Sequence, residues 1–157
     1  MSVLNSESLE RQLELVRELE NRLTFRLSYV SKLIDHQAAD FLRDTPISLA
    51  AYRILMVVKM FGEISLSDVS RFNAIDRAQV TRSAAALEKQ GFVEFRTDPR
   101  SKRKKLLVLS GSGESLLAQV RPKFDARRRR LEEALGPGTL EDLLKGLEKV
   151  ARFVGED

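Results

Sequence analysis

A chain of 157 residues has room for one domain with a good core, or for a small domain with helical extensions. It has no cysteine and one histidine, which excludes disulfides, cysteine-ligated zinc and thiol redox sensing and makes a protein-built transition-metal site a poor expectation. A net charge of +4, with 43% hydrophobic and 32% charged residues, describes a folded chain with a modest leaning toward a polyanionic partner.

The opening segment, MSVLNSESLERQ, lacks the basic-then-apolar order of a signal peptide. No apolar run approaches the roughly 18 residues that span a bilayer, so a cytoplasmic protein with no membrane partner is expected. From Ser8 to about Phe41, apolar residues from Leu9, Leu13, Val16 and Leu19 through Val30, Ile34 and Ala38 keep three-and-four spacing without Gly or Pro. This predicts one long helix. Its first part, Leu9 to Leu23, needs another chain or distant helices to cover it. Arg43-Asp44-Thr45-Pro46 breaks the helix. Ser48 can cap a second helix, Leu49 to Met60, which Gly62 stops. Ile64 suits a short strand at the edge of a later hairpin. Ser65 caps a short helix, Leu66 to Phe72, and Asn73-Ala74-Ile75 turns tightly into Asp76.

Asp76 to Gly113, DRAQVTRSAAALEKQGFVEFRTDPRSKRKKLLVLSGSG, holds the chemistry. Asp76 is an N-cap, and Val80, Ala84 and Leu87 form one inward helical face. Arg77, Ala78, Gln79, Thr81 and Arg82 lie off that face in the first turns. Gly91 ends the helix. Phe92–Arg96 and Leu106–Leu109 read as strands. Thr97–Lys105 reads as the turn between them, a basic tip to which Arg100, Lys102, Arg103, Lys104 and Lys105 contribute, with Arg96 just before it. Two short helices, a tight turn and a basic hairpin suit duplex DNA, the second helix in the major groove and the tip on phosphates or the minor groove. Ser110-Gly111-Ser112-Gly113 then reads as a flexible junction. A helix from about Glu114 to Leu135 carries Pro122, expected to kink or break it. Gly136-Pro137-Gly138 is a turn, and Thr139, with Asp142 in a capping-box position, caps a last helix with the stripe Leu140, Leu143, Leu144, Leu147, Val150 and Val154.

The expected fold class is mainly α with a small β-hairpin wing (α+β): a winged helix-turn-helix core flanked by long dimerisation helices. The expected domains are 1–46, an N-terminal dimerisation helix and linker; 47–110, the winged helix-turn-helix; and 111–157, C-terminal dimerisation helices. The terminal stripes exceed what a monomer readily covers, and a homodimer is the simplest cover. With no Gly-rich phosphate loop and no motif-spaced carboxylate pair, no enzyme is expected, and no cofactor or metal.

The chain resembles the MarR family of bacterial winged-helix transcription regulators over nearly its whole length. Asp76-Arg77, Val80-Thr81-Arg82, Leu87-Glu88, Gly91-Phe92-Val93-Glu94, Asp98-Pro99-Arg100, Arg103, Lys105-Leu106, Leu109-Ser110 and Gly113 stand in the family's register without a gap. The resemblance implies a two-fold dimer through the terminal helices, each core on half of a pseudo-palindromic operator. It also implies a repressor regulated by small aromatic or anionic ligands held between the dimer helices and the core. Three features depart from the family: Ser101 replaces the usual acid after the wing Arg, Ser83 replaces a large aliphatic, and Ala84-Ala85-Ala86 slims the helix.

The candidate DNA contacts are therefore Arg77, Ala78, Gln79, Thr81 and Arg82 on the helix, and Arg100, Ser101, Lys102, Arg103 and Lys104 on the wing. Asp98 is expected to orient Arg100, itself the candidate for the minor groove. Thr81 suits a phosphate contact or packing equally. Ser48 and Ser65 put helix-start N–H groups within reach of phosphates, though capping alone explains both. Tyr29, His36, Tyr52 and Arg53 are candidate ligand contacts, with ordinary packing or a surface position as the alternative. Arg127–Arg130 invites a second DNA site, but Glu132 and Glu133 follow for local pairing. A non-specific architectural DNA binder is the competing function.

Overall fold

The structure, a computed structural model, describes residues 6–155; the side chains of Ser6, Glu7, Lys102 and Arg103 lie outside that description. Two compact units divide between Leu49 and Ala50. In the first, α1 (Ser6–Glu20) and α2 (Leu23–Phe41) replace the single helix expected over Ser8 to Phe41. The break falls at Asn21-Arg22. Arg22 is extended (φ −78, ψ 117), and its N–H reaches back only to Leu19 O, at 3.1 Å. Arg26 donates its Nε to the Glu20 carbonyl, one of the acceptors that the end of α1 leaves without an intrahelical donor. Arg22 pairs with Glu18 at 3.0 Å. The apolar stripe of α1 is open: Leu9, Leu13, Val16 and Leu19 are all exposed.

In the second unit, α3 (Leu49–Phe61) leads through Gly62 into β1 (Glu63–Ser65), α4 (Leu66–Asn73) and α5 (Arg77–Lys89). The hairpin is β2 (Val93–Asp98) and β3 (Ser101–Leu109), and α6 (Gly111–Leu135) and α7 (Pro137–Gly155) follow. The sheet order is β1-β3-β2, all antiparallel, with Ile64 opposite Leu107 and Phe95 also opposite Leu107. The expected edge strand at Ile64 is therefore present. The core collects Ile54, Leu55 and Val58 from α3, Val69 from α4, and Val80, Ala84 and Leu87 from α5, closed by Val93, Leu107 and Val120. Each fully buried Leu, Ile or Val contributes about 1.5–3 kcal/mol relative to exposure.

Four local expectations change. The basic tip is not a long turn: β3 begins at Ser101, so Lys102 to Lys105 belong to a strand. Ladder pairing extends the hairpin almost to Pro99-Arg100, with a register shift between Thr97, opposite Lys105, and Asp98, opposite Ser101. Ser110–Gly113 is no loose junction. Ser110 Oγ donates to Gly91 O at 2.5 Å and accepts from Gly113 N–H at 3.0 Å, capping α6. A Cβ on Gly113 would stand 2.1 Å from Phe92 O, so only glycine permits this approach. Of the kink or break expected at Pro122 the break is absent: α6 runs on through it, at the cost of one intrahelical donor on its exposed side. Finally, α7 starts at Pro137, where a fixed φ and an absent N–H suit the first helical position, and Thr139 lies inside it.

Candidate nucleic-acid interface

The start of α5 is fixed by its cap. Asp76 accepts from Ala78 N–H at 2.8 Å and from Gln79 N–H at 3.1 Å. Before it, Ala74 turns the chain in the left-handed region (φ 49), with Ser70 Oγ donating to Ile75 O at 2.6 Å. At the other end Gly91 (φ 77) closes the helix, and Phe92 N–H returns to Leu87 O at 2.9 Å. With Val80, Ala84 and Leu87 turned into the core, Arg77, Ala78, Gln79, Thr81 and Arg82 are all exposed. Thr81 donates its hydroxyl to Arg77 O at 2.8 Å, so its proton is used within the helix.

On the wing, Asp98 accepts the backbone N–H of Arg100 at 2.8 Å, which braces the turn and leaves the Arg100 side chain outward. Arg96, counted above with the basic cluster, is held instead between Glu63 and Glu94, each at 3.5 Å. Lys105 sits 5.9 Å over the Phe95 ring. Among the described residues, no carboxylate lies within 4.0 Å of the charged ends of Arg77, Arg82, Arg100 or Lys104.

The structure brings three elements onto one groove of about 460 Å³, lined by Ser65, Leu66 and Ser67 at the start of α4, Arg77 on α5, and Ser101, Lys104 and Lys105 on β3. Gln79, Thr81 and Arg82 lie farther along the exposed side of α5, and Arg100 lies at the turn. What sequence reasoning offered through Ser65 alone, and did not join to Arg77 and Lys104, is the start of α4. Its signal was the capping pattern Ser65-x-x-Asp68, in which Asp68 N–H donates to Ser65 Oγ at 3.2 Å and Ser65 Oγ donates to Asp68 at 2.6 Å. The Ser65 hydrogen bond is the main cause that holds the Asp68 carboxyl below its usual range; burial opposes it, and the charges of Arg71 and then Lys104 add smaller lowering effects.

The candidate ligand residues divide. Tyr29 is exposed and stacks on Phe25 at 6.3 Å, and His36 is exposed. Tyr52 is buried and stacks on Phe124 at 4.1 Å, with the Arg127 guanidinium 5.3 Å from the Phe124 ring. Burial raises the Tyr52 hydroxyl above its usual range, and the Arg127 charge opposes that rise. Arg53 is half-buried. Among the described residues no group of three His, Cys, Asp or Glu could hold a metal ion, and no helix is long and apolar enough to cross a membrane.

Residues 45–104, which span α3 to the wing, match the MarR family model. The matched stretch is similar to the MarR family, and the chain as a whole has that fold. It is a winged helix-turn-helix protein, and the role the family carries is DNA-binding regulation of transcription. The HTH-type transcriptional regulator BilQ of Clostridioides difficile is 26% identical over 99 residues, covering 63% of this chain and 67% of that protein. Two solved structures share the fold. A mutant of E. coli MarR complexed with operator DNA superposes with a TM-score of 0.73 at 22% identity, over 82% of this chain and 92% of that one. Bordetella bronchiseptica BpsR, whose DNA binding is regulated by 6-hydroxynicotinic acid, gives 0.75 at 21% identity, over 84% and 94%.

Proposed function

We propose that the protein is a homodimer that binds a pseudo-palindromic operator in double-stranded DNA, represses transcription there in the cytoplasm, and is released by a small aromatic or anionic ligand. The observation that carries this reading is the convergence of α4, α5 and β3 on a groove whose cations, Arg77 and Lys104, have no carboxylate partner among the described residues. Such cations are available to phosphate. Arg77, Ala78, Gln79, Thr81 and Arg82 enter the major groove. Arg100, Ser101, Lys102, Arg103 and Lys104 follow the backbone or minor groove, with Asp98 orienting the turn. E. coli MarR supports the operator as partner, since it has been seen on one.

Residues 47–110 act as the DNA-binding domain, and 1–46 with 111–157 supply the dimer. The open stripes on α1 and on α7, where Leu143, Leu144 and Leu147 are exposed, support that assignment. For the ligand, support comes from the control of BpsR by 6-hydroxynicotinic acid and from the aromatic-plus-cation stack of Tyr52, Phe124 and Arg127. Tyr29, His36 and Arg53 are the further proposed contacts.

The test is affinity for the DNA flanking its own gene and for a scrambled duplex, over a salt series. A regulator prefers the flanking site by several orders of magnitude. Equal affinity for both duplexes identifies an architectural DNA binder and overturns the reading. Removing residues 140–157 is expected to weaken binding and leave aggregated or poorly folded protein. A truncated chain that stays folded, monomeric and equally tight on DNA overturns the dimer.

A further inference from the structure

Asp68 stands in the first turn of α4, one residue past Ser67 on the wall of the groove. One of its oxygens takes the Ser65 hydroxyl at 2.6 Å, and the other holds Arg71 at 3.0 Å. Its side chain remains 35% exposed, so solvent and an arriving polyanion both reach it. Lys104 lines the same groove from β3, and its charge has a minor effect in the direction that favours the Asp68 carboxylate. The helix does not depend on this charge for its cap, because Ser65 Oγ already accepts the Asp68 N–H. A carboxylate at a helix start occupies the electrostatic position that a phosphate seeks.

We propose that Asp68 is an affinity-limiting residue of the DNA interface: beside the groove lined by Ser67 and Lys104 it sets a negative charge at the start of α4 in the free protein, and it repels the backbone phosphate that Lys104 would draw in. The inference rests on the DNA-binding reading above and adds a residue that works against it. Its effect is general to duplex DNA, because phosphate carries no sequence. The groove then stays weak on random sequence and leaves discrimination to the base-facing side chains of α5.

The test uses the full chain, its Asp68→Asn, Asp68→Glu and Lys104→Ala variants, and the Asp68→Asn/Lys104→Ala pair. The probe is a random-sequence duplex over a salt series, with thermal unfolding of each variant alongside. Asn keeps the shape and an acceptor for Ser65 while removing the charge. Asp68→Asn is expected to bind the duplex about three- to tenfold tighter at low salt and to show a steeper salt dependence. Asp68→Glu is expected to stay within about twofold of the parent, since it keeps the charge. In the Lys104→Ala background the gain from Asp68→Asn shrinks. No tightening in a folded Asp68→Asn, with the parent binding normally, overturns this inference alone. A gain that survives undiminished without Lys104 overturns it too. A parent that ignores duplex DNA overturns both the inference and the reading beneath it.

Discussion

The wing and the middle of α6 both concentrate arginine and lysine, and their surroundings differ. On α6, Arg121 reaches Asp125 at 3.2 Å, and Arg128 reaches Asp125 and Glu132 at 3.8 Å each, acids placed one turn away. Arg127 lies over Phe124. On the wing the nearby acids are occupied otherwise: Asp98 takes a backbone N–H, while Glu63 and Glu94 take Arg96. The side chains of Arg100 and Lys104 are left to solvent. Charge density in a sequence window therefore does not identify a polyanion site; the positions of the acids do. A helix offers its acids at three and four residues, whereas a strand hairpin offers them only across the ladder.

The comparison breaks most visibly at α5. Gln79→Ala or Arg82→Ala is expected to cost about 1–3 kcal/mol on the operator and little on scrambled duplex, because a bidentate base contact is lost. Arg100→Ala is expected to cost less, with its largest loss on sites with A·T-rich flanks, where a narrow minor groove attracts arginine. Lys104→Ala is expected to weaken operator and scrambled DNA by similar factors and make the salt slope shallower by about 0.9 per subunit. Wing variants that erase operator preference while α5 variants keep it would mean the two roles have been exchanged. The smallest effect belongs to α6. Arg128→Ala is expected to leave DNA affinity within about twofold and to cost about 0.3–0.5 kcal/mol in unfolding, the value of an exposed helical pair. A larger loss of DNA binding there would erase the distinction between the two basic segments.

Much of the interface was legible because it is local. Asp76 caps within three residues, Val80, Ala84 and Leu87 repeat along one helix, and Gly91 closes it, so the exposed positions of Arg77, Gln79 and Arg82 follow from spacing alone. The break at Asn21-Arg22 was not legible, since neither Gly nor Pro marks it and the apolar spacing continues across it. Ser110–Gly113 misled in the other direction: Gly-Ser composition suggested looseness, while the Gly91 carbonyl, 19 positions earlier, pins it.

The sequence by itself determined the caps of α4 and α5, the buried face of α5, the order of elements from α3 to β3 and the location of charge, because each depends on residues within a turn or on strict periodicity. Tertiary structure alone decided that Lys102 to Lys105 extend a strand, that Arg96 is spent on Glu63, and that the start of α4 joins Arg77 and Lys104 around one groove. The first turns on the pairing of β2 with β3 past Thr97, and the other two on the pairing of β1 with β3, a contact between segments about forty residues apart that no local propensity encodes.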